Sequence, residues 1–174
     1  MKATFKIILI VISAFFMSCE KKNDNNGNNP PASGTNYLAM KINGVEWKSD
    51  TKGVFGAFHP TGYNNVTLMS GTVGDGAAQQ AFNISIYRST GVGEYTFSNV
   101  TESVYAVDKS VAQLGNLNAQ DYLYGGLLGV YNMKIKITKA SKSPAMVEGT
   151  FEGTITGVRS DVITITEGKF YYQE

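Results

Sequence analysis

From Tyr37 onward, apolar and polar residues alternate with a period of two, the spacing that sends successive side chains to opposite faces of a strand. The firmest case surrounds Asn43-Gly44, a dipeptide suited to a two-residue hairpin turn because both residues accept positive φ. Such a turn pairs Ile42 with Val45, Lys41 with Glu46 and Met40 with Trp47. Met40, Ile42, Val45 and Trp47 then share an apolar face, and Lys41 opposes Glu46 on the other. Further along, Phe82, Ile84 and Ile86 alternate with Asn83, Ser85 and Tyr87, and Gly91-Val-Gly93 leads into a strand at Glu94–Phe97. Met133, Ile135 and Ile137 alternate with Lys134, Lys136 and Thr138, and Val147 to Ile155 alternates with Glu148, Thr150, Glu152 and Thr154. A hairpin of these two strands gathers the lysines and glutamates on one wet face. Gly157–Ser160 turns the chain into Val162–Thr166, Gly168 marks a bulge before Phe170–Tyr172, and 130–172 reads as a three-stranded meander. Within 101–128, strands are expected at Ser103–Val107 and Tyr122–Leu128, with a helical turn at Lys109–Leu114. No stretch sustains a helical period. About nine or ten short strands with glycine-rich turns imply an all-β, antiparallel β-sandwich, the alternative being a closed lipocalin-like β-barrel.

The first residues follow a different rule. Lys2 and Lys6 precede an apolar run from Ile7 to Phe16, broken only by Ser13 and followed by Met17-Ser18-Cys19-Glu20. Such a run matches an export signal and falls short of the ~20 residues a helix needs to span a bilayer. Ser18 directly before the chain's only cysteine resembles the lipobox of bacterial lipoproteins, although Phe16 and Met17 depart from its commonest form. The resemblance implies a diacylglyceryl group on the Cys19 thiol, cleavage after Ser18 and acylation of the new amino group. It also implies outer-membrane sorting, since glutamate rather than aspartate follows the cysteine. Residues 1–18 are thus read as signal peptide and 19–36 as a flexible tether, polar and asparagine-rich with almost nothing apolar to bury. Residues 37–174 are the sandwich domain.

Composition narrows the choice of partner. With residues 1–18 removed, 13 basic and 14 acidic residues remain, a formal charge of −1 without a lysine–arginine cluster. Nucleic acid, which needs a concentrated basic face, is not an expected partner. One cysteine rules out an internal disulfide, and neither a zinc spacing nor a cofactor fingerprint is present, so no metal and no cofactor are expected.

Beyond the signal, Lys41-Ile-Asn-Gly-Val-Glu-Trp47, Gly93-Glu-Tyr-Thr-Phe97, Gly149-Thr-Phe-Glu152 and Glu167-Gly-Lys-Phe170 resemble segments of uncharacterised β-rich lipoproteins of the Bacteroidetes. The resemblance spans most of residues 37–170. It implies a small envelope domain and supplies no catalytic or binding residue.

Candidate chemistry is sparse. His59, the only histidine, precedes Pro60 in a loop without a nucleophile-elbow motif elsewhere. Glu148 and Glu152 share a strand face about 13 Å apart, too far for a glycosidase pair. Gly71-Thr-Val-Gly-Asp-Gly76 lacks the ending of a phosphate loop and reads as a hairpin connection. Matches to N-x-[ST] at Asn65, Asn83 and Asn99 carry no glycosylation reading in an exported bacterial chain. Asp108 and Asp121 are the carboxylates that could converge from separate segments. Trp47 belongs to the core. Tyr122 and Tyr124, on one strand face with Tyr131 nearby and Tyr63 in a loop, form the candidate binding surface for a glycan or an envelope protein. The expected function is a lipid-anchored, non-enzymatic binding or assembly module, the alternatives being an envelope hydrolase and a barrel carrying a small apolar ligand.

Overall fold

A computed structural model describes residues 35–62, 65–98, 109–118, 122–126 and 129–174. Eleven strands run through them: β1 (Tyr37–Ile42), β2 (Val45–Lys48), β3 (Phe55–Phe58), β4 (Val66–Val73), β5 (Gln80–Tyr87), β6 (Gly93–Ser98), β7 (Val111–Gly115), β8 (Leu123–Gly125), β9 (Tyr131–Lys142), β10 (Ala145–Thr156) and β11 (Val162–Gln173). Single 3-10 turns at Thr51–Gly53 and Gly76–Ala78 link β2 to β3 and β4 to β5. All ladders are antiparallel. One sheet has the order β2-β1-β11-β10-β9-β6 and the other β3-β4-β5-β7-β8.

The two sheets form a sandwich and do not close into a barrel; the β8 residue Tyr124 makes one isolated bridge to Gly157, just past β10. Their inner faces meet in a continuous apolar core. Leu38, Met133, Ile135, Ile165 and Phe170 from the larger sheet pack with Phe82, Ile84, Ile86 and Leu114 from the smaller, all fully buried. A filled interior of this kind is a packing core rather than a ligand cavity.

The β1–β2 hairpin has the expected register, with Asn43 at φ 49° and Gly44 at φ 83° as the turn requires. Val45 departs from expectation: it sits at the tip, 70% exposed, while Met40, Ile42 and Trp47 are buried. The meander β9–β10–β11 is present, and its wet face carries the expected rows. Glu152 lies opposite Lys134, and Glu148 bonds Lys139 at 2.8 Å. The expected bulge falls at Glu167-Gly168, where β11 carries one residue more than either neighbour. Glu167, not Gly168, adopts positive φ there, at 54°. Gly168 is needed for closeness, since a Cβ on it would stand 2.3 Å from the Phe151 carbonyl oxygen.

Two expectations need correction. Lys109–Leu114 is not a helical turn: Val111–Gly115 is strand β7, with Ala112 and Leu114 facing Ile84 and Phe82 in register. Pairing with β5 buries both side chains, which a lone turn could not do. Of the strand expected over Tyr122–Leu128, Leu123–Gly125 is strand and Gly125 and Gly126 both turn to φ 68°, while 127 and 128 lie outside the described residues. The expected strand Ser103–Val107 lies outside the described residues, as do the signal, Ser18, Cys19 and the tether through residue 34.

Candidate functional site

An aromatic-walled groove lies beside β3, on the edge of the smaller sheet. Leaving β2, the chain is fixed by Ser49, whose Oγ accepts the Leu38 N–H at 3.1 Å, and by Asp50, whose Oδ2 accepts the Gly74 N–H at 2.9 Å. The 3-10 turn then delivers Phe55-Gly56-Ala57-Phe58 across the ends of β9, β10 and β11. Gly56 is what permits that approach: a Cβ there would stand 2.8 Å from both Phe170 Cζ and Tyr172 Cβ.

A groove of about 540 Å³ runs along this strand, inside the roughly 300–1,000 Å³ usual for ligand sites. Phe55 and Tyr172 form an aromatic wall, their rings 5.6 Å apart and tilted by 56°. Lys142, Ala145 and Glu174 complete that side, and Pro60 to Gly62 close an end. Phe55 is 49% exposed, unusual for a phenylalanine in a strand.

His59 closes the floor. Its ring stacks on Phe58 at 3.9 Å, its N–H donates to Val66 O at 2.7 Å, and its Nε2 lies 2.7 Å from Ser89 O. A carbonyl oxygen only accepts, so Nε2 carries the proton. Ser89 is itself buried, its Oγ sharing a 2.7 Å hydrogen bond with Thr67 Oγ1. His59 lies in a loop, as expected, and from there staples the β3–β4 turn to the segment after β5 as a half-buried structural post.

The tyrosine pair is divided. Tyr124 is fully buried, its hydroxyl donating to Asp161 Oδ2 and accepting from Asn118 Nδ2, each at 2.8 Å. Tyr122 precedes the strand and is 61% exposed. The expected shared face does not exist, because Tyr124 opposes Leu114 and turns into the core. Tyr131 is buried too, donating to Ser110 O at 2.8 Å, with Lys109 Nζ 5.8 Å from its ring centroid. Trp47 is core as expected, with Nε1 donating to Gln80 Oε1 at 2.7 Å. Tyr63, Asn99, Asp108 and Asp121 lie outside the described residues.

The outer face of the larger sheet is charged and largely self-paired. Lys41 bonds Glu167 at 2.7 Å, Lys139 bonds Glu148 at 2.8 Å, and Lys136 lies 3.7 Å from Glu94. The hydrogen bond that Lys41 donates to Glu167 raises its ammonium above the ordinary lysine range, and Glu148 does the same for Lys139. Tyr37, stacked on Tyr171 at 6.1 Å, is pushed up by burial and then by Glu148. A shallow depression of about 280 Å³ over Gly168 is lined by Lys134, Lys136, Lys169, Glu94, Glu152 and Glu167. Alternating signs make it a solvated face rather than a focused site. Among the described residues, no group of three or more His, Cys, Asp or Glu could hold a metal ion.

Sequence reasoning missed the β3 groove. The available signal was Phe55-Gly-Ala-Phe58, an uncharged run between Gly53 and Pro60. No protein-family model, no curated protein and no solved structure matches the chain, so the groove is read from its geometry alone.

Proposed function

We propose that this chain is a lipid-anchored protein of the cell envelope, held at the outer membrane through Cys19, whose sandwich acts by binding a partner rather than by turning over a substrate. The anchor is supported by the order of Lys2 and Lys6, a short apolar run, Ser18-Cys19 and a polar tether, and by the resemblance to Bacteroidetes lipoproteins. The binding role is carried by one observation: an aromatic-walled groove whose histidine is committed to structure. Nε2 is bound to Ser89 O and the ring is stacked on Phe58, contacts that give His59 a structural role among the described residues. The packed core weighs against the apolar-carrier alternative. The groove now takes the place of Tyr122 and Tyr124 as the surface offered to a glycan or an envelope protein.

Two measurements test this reading. Alkyne-palmitate should label the wild-type chain, and Cys19→Ala should lose the label and retain residues 1–18; an unlabelled wild type would remove the anchor. A panel of ester, peptide and glycoside substrates should show no turnover by the full chain. Turnover abolished by His59→Gln would overturn the binding reading.

A further inference from the structure

A sheet edge presents unpaired N–H and C=O groups, which proteins guard with charge, proline, bulges or a covering segment. Three of the four edges here follow that rule. β2 exposes Glu46 and Lys48, β6 exposes Glu94, and β8 is three residues long with Tyr124 bridged to Gly157. β3 carries neither charge nor proline, and its ladder to β4 is regular.

The phase of that ladder determines what β3 offers. The bond from the His59 N–H to Val66 O marks 59 and 66 as a hydrogen-bonded pair, so Ala57 and Phe55 also turn their backbone groups toward β4. Gly56 and Phe58 must turn theirs to the open side. These two donors and two acceptors have no hydrogen-bond partner among the described residues, although Gly56 is buried. Buried backbone groups without partners are rare, and these lie on the floor of the groove.

We infer that the groove receives an extended peptide segment of a partner protein, which adds to the smaller sheet as a strand beside β3. This rests on the binding reading above and specifies its partner class. The four backbone groups of Gly56 and Phe58 supply register. Phe55 and Tyr172 receive an aromatic or β-branched side chain, and Lys142 and Glu174 offer either charge sign at the rim. A single strand matches β3, which is about 13 Å long and is flanked in the groove by Tyr172, Lys142 and Glu174. The chain's own residues 20–34 are a poor match: they hold nothing aromatic or β-branched, and Pro30 and Pro31 cannot donate.

The test uses the full isotope-labelled chain in detergent. The probes are blocked heptapeptides with Val, Ile, Phe or Tyr at every second position and Thr between, and the same peptides N-methylated on alternate amides. Hydrogen exchange at the Gly56 and Phe58 amides should slow about tenfold or more with the plain peptides, Ala57 should be unchanged, and N-methylated peptides should be inert. Phe55→Lys should weaken binding about tenfold or more, while Val45→Lys on the β2 edge should have no effect. Strand addition fails if no member protects these amides, or if protection appears at β2 or β6 instead. It also fails if Phe55→Lys dissolves a dimer of the chain, or if deleting residues 20–34 exposes amides already protected in the free protein. A glycan that shifts Phe55 and Tyr172 while every peptide is inert would end the strand-addition proposal and leave the binding reading standing.

Discussion

Trp47 shows how much a single side chain reveals and conceals. Its place on the inner face of the hairpin follows from the Asn43-Gly44 turn, and it is 7% exposed. Its ring lies edge-on to Phe82 at 6.4 Å, and its N–H reaches Gln80 on the opposite sheet. Trp47→Ala should cost about 3–5 kcal/mol in urea melts, the usual range for a deleted buried aromatic. Lys41→Ala, on the wet side of the same hairpin, should barely move the midpoint; comparable losses would contradict the register. Tyr124 shows the limit. In one dimension Tyr122 and Tyr124 look like a flat pair, but the partner that lets Tyr124 sink inward is Asp161, 37 residues away. Gly56 was equally hidden, since only the opposing Phe170 and Tyr172 require glycine there.

At the scale of elements, legibility followed the charge of the outer face. β9, β10 and β11 alternate apolar residues with Lys, Glu and Thr, so the period of two is loud. The smaller sheet turns Leu68, Ser70, Asn83, Ser85 and Gln113 outward, with no charge among them, so the polar half of the alternation is faint. For that reason the sequence carries little sign of β3 and β4, and β7 resembles a helical turn. The bulge in β11 was readable because glycine interrupts an otherwise regular strand. Gly168→Ala should lower stability by roughly 1–3 kcal/mol, the scale of overpacking, because its methyl would press on the Phe151 backbone and ring. Gly115→Ala is the control: its nearest neighbour would stand 3.8 Å away, and its midpoint should stay near wild type. Equal losses in thermal melts would mean that the close approach at the bulge is not what selects glycine.

For the molecule as a whole, the two outer faces differ in kind, and pH should reveal the charged one. Tyr37 opposes Tyr171, Tyr171 opposes Glu148, and Glu148 bonds Lys139, a row across four strands. Burial raises Tyr37 above its ordinary 10.0, while hydrogen bonds to Glu167 and Glu148 raise Lys41 and Lys139 above 10.5. For each group the folded value exceeds the unfolded one. Its contribution is therefore complete below the ordinary value and is lost as pH rises through the folded value. The urea midpoint should fall as pH climbs past these values, and the double variant Lys41→Met, Lys139→Met should fall less steeply; parallel curves would remove the two ion pairs as the cause. The anchor proposed at Cys19 would give one further feature a mechanical meaning. Asn36 exchanges hydrogen bonds with Gln173, and the strand it opens, β1, lies between β2 and β11 rather than at the margin. A pull transmitted through the lipid would reach the domain at Asn36 and would have to slide β1 past two ladders at once. Loading in shear, rather than peeling strand from strand, would suit the anchored binding role proposed above.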